Sequence, residues 1–300
     1  MRIVSLLPSG TEIVHALGLG DLLVGRSYAC DHPEDVLALP AVTRPGLSGS
    51  HVDVDLLVAL RPDLVIAAGG DEAGEASCQV VRDTLRTDLP ETSVVGLEPR
   101  SLEGTFNSII SVGAFAEAED EAIGLVELLR ERLGALENGI LERRLLGIAS
   151  RRVVVLESLA PPMCVGRWVP ELVRRAGGWE LLGHELDDPE PTSWERLREV
   201  DPEVIVLALD VTATSSAEAF DAAARDGAIP DWFDDLAAVR DGELFAVSAA
   251  LILRPGPRLI DGIAMLAELF DPEGFAAAGP DGAWIPLSPV GVGPGGAGPA

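Results

Sequence analysis

Residues Arg61-Pro-Asp-Leu-Val-Ile-Ala-Ala-Gly-Gly-Asp71 return in a diverged form as Asp201-Pro-Glu-Val-Ile-Val-Leu-Ala208. Each copy follows a short amphipathic helical pattern, breaks at an X-Pro step that disfavours helical backbone, and continues as an apolar, β-branched run. Apolar runs without alternation are typical of strands covered on both faces, as in a parallel sheet flanked by helices. One α/β unit therefore occurs twice, which predicts an α/β protein of two lobes with a ligand cleft between them.

The rest of the chain can be divided around this repeat. Residues 1–112 are predicted to form the N-terminal α/β lobe, and residues 150–275 the C-terminal α/β lobe. A helical pattern that opens at Ser101 keeps one apolar face and continues with alternating acids and arginines, which predicts a long spine helix at 113–138 that joins the lobes. Glycine and proline dominate after Gly279, so residues 279–300 are predicted to be a disordered tail.

Composition excludes several classes of protein. The net charge of -27 argues against nucleic-acid partners, because a phosphate backbone would be repelled. No stretch approaches the ~18 consecutive apolar residues of a membrane span, so membrane insertion is not expected. Only Ile3 to Leu7 precede Pro8, which is too short for the apolar core of a secretory signal, and the three cysteines suit a reducing compartment. The chain as written is therefore predicted to be cytoplasmic, and extracytoplasmic only if the true start lies upstream of Met1.

The loops that follow the predicted strands are the candidate ligand site. Ligands of open parallel sheets bind beyond the carboxyl ends of the strands, and aromatic faces, a thioether and an arginine can hold a large, flat, apolar ligand. An alternative for Met163 and Trp168 is ordinary packing at a helix start. The candidate ligand-contacting residues in these loops are Tyr28, Gly70, Asp71, Met163, Trp168 and Arg254.

Cys30-Asp31-His32 invites a metal interpretation, but no spaced partner such as C-x-x-C or H-x-x-x-H accompanies it. Two alternatives remain: a thiolate or imidazole that meets the metal of a bound cofactor, or a capping Asp31 beside a partly buried cysteine. The chain also lacks a P-loop, a G-x-G-x-x-G turn after its first strand and a nucleophile elbow. No catalytic residue and no resident metal ligand are predicted.

Several stretches together resemble the iron/cobalamin (class III) family of ABC-transporter solute-binding proteins, in particular its cobalamin-binding branch. They are Ile3-Val-Ser-Leu-Leu-Pro-Ser-Gly-Thr-Glu-Ile-Val-His-Ala-Leu-Gly-Leu-Gly20, Cys30-Asp-His-Pro33, Leu60-Arg-Pro-Asp-Leu-Val65, Val165-Gly-Arg-Trp-Val-Pro-Glu-Leu172, Asp201-Pro-Glu-Val-Ile-Val206 and Arg254-Pro-Gly-Pro-Arg-Leu-Ile-Asp-Gly262. The resemblance implies two Rossmann-like lobes joined by one long helix. It also implies that Pro8, Ser9, Tyr28, Cys30, Trp168 and Arg254 face the ligand.

The resemblance leaves the ligand open. The branch usually has Asp-Leu-Cys after the first repeat strand, where this chain has Gly69-Gly70-Asp71. We therefore expect a solute-binding protein for cobalamin or a related corrinoid, with haem or an iron siderophore as alternatives. It would act by lobe closure without catalysis, with an ABC permease as a possible partner. A second hypothesis is a cytosolic enzyme of cofactor or natural-product metabolism with Cys30, Asp31 and His32 in its active site.

Overall fold

The computed structural model describes residues 1–46, 49–70 and 76–289. The chain divides into two compact units. Unit 1 comprises Met1–Pro99, Glu103–Glu131 and Pro255–Pro257, and unit 2 comprises Arg100–Leu102, Arg132–Arg254 and Arg258–Ala300. Each unit has its own sheet.

Unit 1 is built on a four-stranded parallel sheet. Its elements are β1 (Ile3–Ser5), α1 (Pro8–Ala16), β2 (Leu23–Arg26), α2 (Val54–Leu60), β5 (Leu64–Ala68), α3 (Cys78–Leu85) and β6 (Ser93–Leu97), with a hairpin of β3 (Thr43–Gly46) and β4 (Gly49–Val52) after β2. The strand order is β2-β1-β5-β6. Val4 and Val65 pack with Leu57 and Leu85 on the face covered by α2 and α3.

Unit 2 is built on a larger, mixed sheet. Its strands are β7 (Arg151–Leu159), β8 (Pro162–Cys164), β9 (Gly178–Glu180), β10 (Glu190–Pro191), β11 (Val204–Asp210), β12 (Leu244–Ser248) and β13 (Trp284–Pro286), and its helices are α6 (Val169–Arg175), α7 (Trp194–Val200), α8 (Ala213–Arg225), α9 (Ala237–Arg240), α10 (Ala249–Ile252) and α11 (Leu259–Phe270). The order is β10-β8-β7-β11-β12-β13, with β9 also paired to β7. The central strands β7, β11 and β12 are parallel.

The two repeat strands have the predicted environment. Leu64 to Ala67 in β5 and Val204 to Leu207 in β11 are fully buried. Burial on both faces explains why neither run alternates between apolar and polar residues. The α/β prediction with parallel sheets flanked by helices is confirmed.

The helices before the repeat strands also match each other in their ends. Both α2 and α7 have seven residues, and each begins at a side-chain cap: Asp53 accepts from the Leu56 amide, and Ser193 accepts from the Arg196 amide. Each ends at a left-handed residue, Arg61 (φ 46°) or Asp201 (φ 41°), directly before a proline. The left-handed residue reverses the chain, so that the next strand can enter the sheet.

The predicted spine helix differs from the structure at its start. A helix α4 (Leu102–Phe115) ends, and a second helix α5 (Glu119–Leu145) begins, with Glu117 in the left-handed region (φ 57°) between them. A side chain at Gly113 would lie 2.4 Å from Cβ of Ala122, so the two helices cross in close contact at this glycine. The helix therefore starts at Glu119 rather than at residue 113, and it runs to Leu145.

Part of the predicted disordered tail is a strand. Trp284–Pro286 form β13, which pairs antiparallel with β12, and the Trp284 ring meets Phe245 edge to face at 5.5 Å. Partial burial of Trp284 and Ile285 helps to offset the cost of ordering the glycine- and proline-rich chain around them. Residues 290–300 lie outside the described part of the chain.

Within the described ranges, no helix is both long and apolar enough to span a membrane.

Candidate functional site

The first segment of the candidate site is the junction of β1 and α1. Pro8 is the first residue of α1, where its missing N–H is tolerated, and Ser9 lies inside the helix. A side chain at Gly10 would come within 2.6 Å of Ile66 Cγ2 and 2.8 Å of Ser5 Oγ. The Pro-Ser-Gly sequence thus starts the helix tightly against the carboxyl ends of β1 and β5. The N-terminus of α1 has no side-chain cap.

The second segment is the turn after β2, which carries Tyr28 and Cys30. Thr43 fixes this turn, because its Oγ1 accepts a hydrogen bond from the Tyr28 amide at 3.0 Å and contacts the Ser27 hydroxyl at 2.8 Å. The Tyr28 side chain is 43% exposed. The turn therefore presents an accessible phenol from a backbone that is held in place.

Cys30 lies on the inner side of the same turn. Its side chain is 1% exposed, and its Sγ lies 3.1 Å from the Thr11 hydroxyl of α1. A thiol in this position anchors the turn to α1 and is not presented to a substrate. Asp31 is half buried and His32 is exposed. Among the residues that the structure describes, no group of three His, Cys, Asp or Glu side chains could hold a metal ion.

The third segment of unit 1 follows β5. Gly70 is exposed and left-handed (φ 79°), a conformation that favours glycine. A side chain at Gly70 would lie 2.9 Å from Oε1 of Glu98, the first residue after β6, so the Glu98 carboxylate borders this turn. Asp71 lies outside the described residues.

In unit 2 the candidate Trp168 is largely buried. It is 7% exposed, it precedes α6, and its Nε1–H donates to the Ile252 carbonyl oxygen at 2.8 Å. This geometry fits the alternative of packing at a helix start rather than an open stacking surface. The bond also brings Trp168 to the end of α10, two residues before the half-buried Arg254.

Met163 lies half buried on β8, beside the carboxyl half of β7.

Two carboxyl groups on or beside β7 have raised pKa values. Burial raises the pKa of Glu157, although Arg167 opposes the rise. Burial raises the pKa of Glu180 to about 7, even though the backbone N–H groups of Leu182, Gly183, Val155 and Leu181 stabilise its charged form.

The structure groups the predicted residues within each unit. In unit 1, Pro8, Tyr28 and Gly70 follow β1, β2 and β5, which are neighbours in the sheet, so all three lie at one edge. In unit 2, Trp168 and Arg254 are brought together through Ile252.

The sequence analysis did not identify Arg26, Thr43, Glu98 and Glu180 as candidate site residues. Glu98 could have been found, because it directly follows the run Ser93-Val-Val-Gly-Leu97, which is typical of a strand. Nothing in the sequence around Thr43 or Glu180 indicates the contacts of these two residues.

The fold and the loops at the strand ends agree with what the chain matches. A model of a family described as periplasmic binding protein matches residues 3–227. This protein belongs to that family. The resemblance to class III solute-binding proteins is thereby confirmed.

Individual relatives are similar over most of their length. An uncharacterized ABC transporter substrate-binding lipoprotein, YvrC of Bacillus subtilis (strain 168), is 26% identical over 281 residues, which cover 91% of this chain and 81% of that protein. A vitamin B12-binding protein of Vibrio parahaemolyticus is 25% identical over 275 residues, covering 90% of this chain and 89% of that protein. The structure of a periplasmic heme binding protein from Pseudomonas aeruginosa superposes with a TM-score of 0.74, 25% identity, and coverage of 91% of this chain and 93% of that one.

The prediction of a cytoplasmic protein is wrong. The family is one of periplasmic binding proteins, and relatives over about nine tenths of this chain include a lipoprotein and a vitamin B12-binding protein. The prediction relied on the residues before Pro8 and on the cysteine count, and neither feature outweighs similarity over the whole fold.

Proposed function

We propose that this protein binds a large metal chelate of the cobalamin or haem class, with an iron siderophore as the third candidate, and delivers it to an ABC permease. Family membership supports a binding role, and the named relatives include one vitamin B12-binding and one heme binding protein. No motif of the sequence supports catalysis, and the buried thiol of Cys30 does not favour an active site at Cys30-Asp31-His32.

The observation that carries the proposal is Tyr28. A 43% exposed aromatic side chain stands at the carboxyl edge of the unit 1 sheet, on a turn that Thr43 holds in place. Aromatic side chains bury large areas at a small entropy cost, which suits them to a broad, flat ligand. In the proposal, Tyr28 and the strand-end loops of unit 1 supply contacts to the ligand.

Isothermal titration of the purified protein with cyanocobalamin, haemin and a ferric hydroxamate siderophore tests the proposal. We expect saturable, one-to-one binding of one class. Tyr28→Ala should weaken that binding by about 5- to 150-fold, the range for losing an aromatic anchor, and Tyr28→Phe should retain most of it. Trp179→Ala is a matched control, because Trp179 is an exposed aromatic residue on β9 of unit 2. Absence of saturable binding with all three compounds would remove the proposal.

A further inference from the structure

Arg26 is the last residue of β2, directly before the turn that carries Tyr28. Its Nη1 donates to the carbonyl oxygens of Ser27 at 2.9 Å, of Tyr28 at 3.4 Å and of Cys30 at 3.4 Å. The guanidinium group therefore lies inside the curve of this turn. Its Nε is buried and has no hydrogen-bond partner among the residues that the structure describes.

The charge of Arg26 has no carboxylate partner within those same residues, although acids outnumber basic residues in this chain by 49 to 22. Five other half-buried arginines of the described part of the chain differ from Arg26, because each makes an ion pair with a carboxylate. They are Arg100, Arg143, Arg151, Arg167 and Arg175. Among the described residues, Arg26 therefore differs from these five arginines in having no carboxylate as counter-charge.

A half-buried guanidinium is costly without a counter-charge, since carbonyl dipoles replace only part of its lost hydration. The group has five N–H donors in a planar fork, and Nη1 alone serves the three carbonyls. Oxyanions are the preferred partners of a guanidinium, and Nη2, which makes none of these three bonds, is the nitrogen that can donate to one.

We infer that Arg26 binds an oxyanion of the ligand and thereby selects ligands that carry one. This inference rests on the proposed function. In the haem class the oxyanion would be a propionate carboxylate, and in the cobalamin class the phosphodiester of the nucleotide loop. Nη1 holds the turn of Tyr28, so the aromatic and the ionic contact come from one preorganised element.

Matched ligand pairs test the inference. Haemin is compared with its dimethyl ester, which lacks the carboxylates, and cobalamin with cobinamide, which lacks the nucleotide-loop phosphodiester. For the class that binds, we expect the wild type to prefer the oxyanion-bearing member by about tenfold or more. Arg26→Gln should reduce this ratio to about one, even where loss of the bonds to the Tyr28 turn lowers affinity for both members of the pair, and Arg26→Lys should keep part of the ratio.

Arg86→Gln is the charge-matched control, because Arg86 is an exposed arginine of unit 1 at the end of α3, and it should leave the ratio unchanged. If Arg26→Gln weakens both members of a pair equally, or leaves the ratio as in the wild type, Arg26 has only a structural role and the inference is overturned. If the wild type binds neither haemin nor cobalamin, the proposed ligand class falls and the inference falls with it. Circular dichroism of Arg26→Gln and Arg26→Lys checks that both variants fold.

Discussion

The side chain of Glu203 accepts a hydrogen bond from the backbone nitrogen of Arg152 at 2.7 Å. At the aligned place in unit 1, the side chain of Asp63 accepts one from the backbone nitrogen of Arg2 at 2.6 Å. In both units, the arginine side chain also donates to the last carbonyl of the preceding helix, at Leu60 or Val200. The repeat thus extends to the contacts that join the first strand of each unit to the X-Pro segment.

These contacts predict matched effects on stability. Asp63→Ala and Glu203→Ala should each lower the free energy of unfolding by about 1 kcal/mol, because each leaves a strand-end N–H without its acceptor. Asp63→Asn should retain part of the contact through its amide oxygen. Urea denaturation of the three variants measures the effects, and wild-type stability in both alanine variants would show that water replaces the carboxylates.

Gly10→Ala should be strongly destabilising. Its methyl group would lie 2.6 Å from Ile66 Cγ2 in β5 and 2.8 Å from Ser5 Oγ in β1, both in buried strands. Overpacking of this kind costs about 1–3 kcal/mol, and it should also displace the start of α1. Gly124→Ala in α5 is the control, because nothing lies within 4 Å of the added methyl, and it should stabilise the helix by up to about 1 kcal/mol. Equal stability of the two variants in thermal denaturation would contradict the close packing at Gly10.

Glu180 predicts a pH dependence. Its folded pKa of about 7 lies above the ordinary value of 4.5, because burial disfavours the charged carboxylate. The folded state therefore holds its proton more tightly than the unfolded state does. The resulting stabilisation is fully present below about pH 4.5 and is lost as pH rises to about 7, by roughly 3 kcal/mol.

Glu180→Gln isolates this contribution. Gln carries no titrating proton, so the difference in unfolding free energy between wild type and variant should change by that amount between about pH 4.5 and 7. Chemical denaturation at several pH values measures the difference. A difference that stays constant across this interval would show that Glu180 does not titrate there.

Trp168→Phe should separate packing from ligand contact. The variant keeps most of the ring volume but leaves the Ile252 carbonyl without the indole N–H, which should cost about 1–3 kcal/mol of stability. Since the ring is largely buried, affinity for the bound chelate should change much less than it does in Tyr28→Ala. Unfolding and titration of the same preparation test both parts, and a large loss of affinity with unchanged stability would assign Trp168 to the ligand.

Short-range sequence patterns were sufficient to predict the strands that occur in both units. The X-Pro breaks at Pro62 and Pro202, with apolar runs after them, predict both central strands because continuous burial leaves a continuous pattern. The break between α4 and α5 could not be predicted, since it accompanies a close crossing of Gly113 and Ala122. The strand at Trp284 could not be predicted, because glycines and prolines surround it and because it forms only through its tertiary pairing with β12.

The candidate site was predictable only in part. Placing Tyr28 and Gly70 at strand ends requires no more than the topology of a parallel sheet. Whether a side chain in such a loop points outward depends on contacts that sequence does not show, as with Thr11 against Cys30 and Ile252 against Trp168. Arg26 was missed for a similar reason, because the role inferred for it depends on which described residues surround its side chain.

The pairing of β13 with β12 has a practical consequence for engineering this protein. The amide of Leu287 donates to the carbonyl of Leu244, so β13 and the residue after it complete the rim of the unit 2 sheet. Truncation near Phe275 would expose the backbone hydrogen-bonding groups of Leu244–Ser248. Another molecule could then pair with this strand edge, which promotes aggregation. Affinity tags and fluorescent fusions are therefore best attached after residue 289.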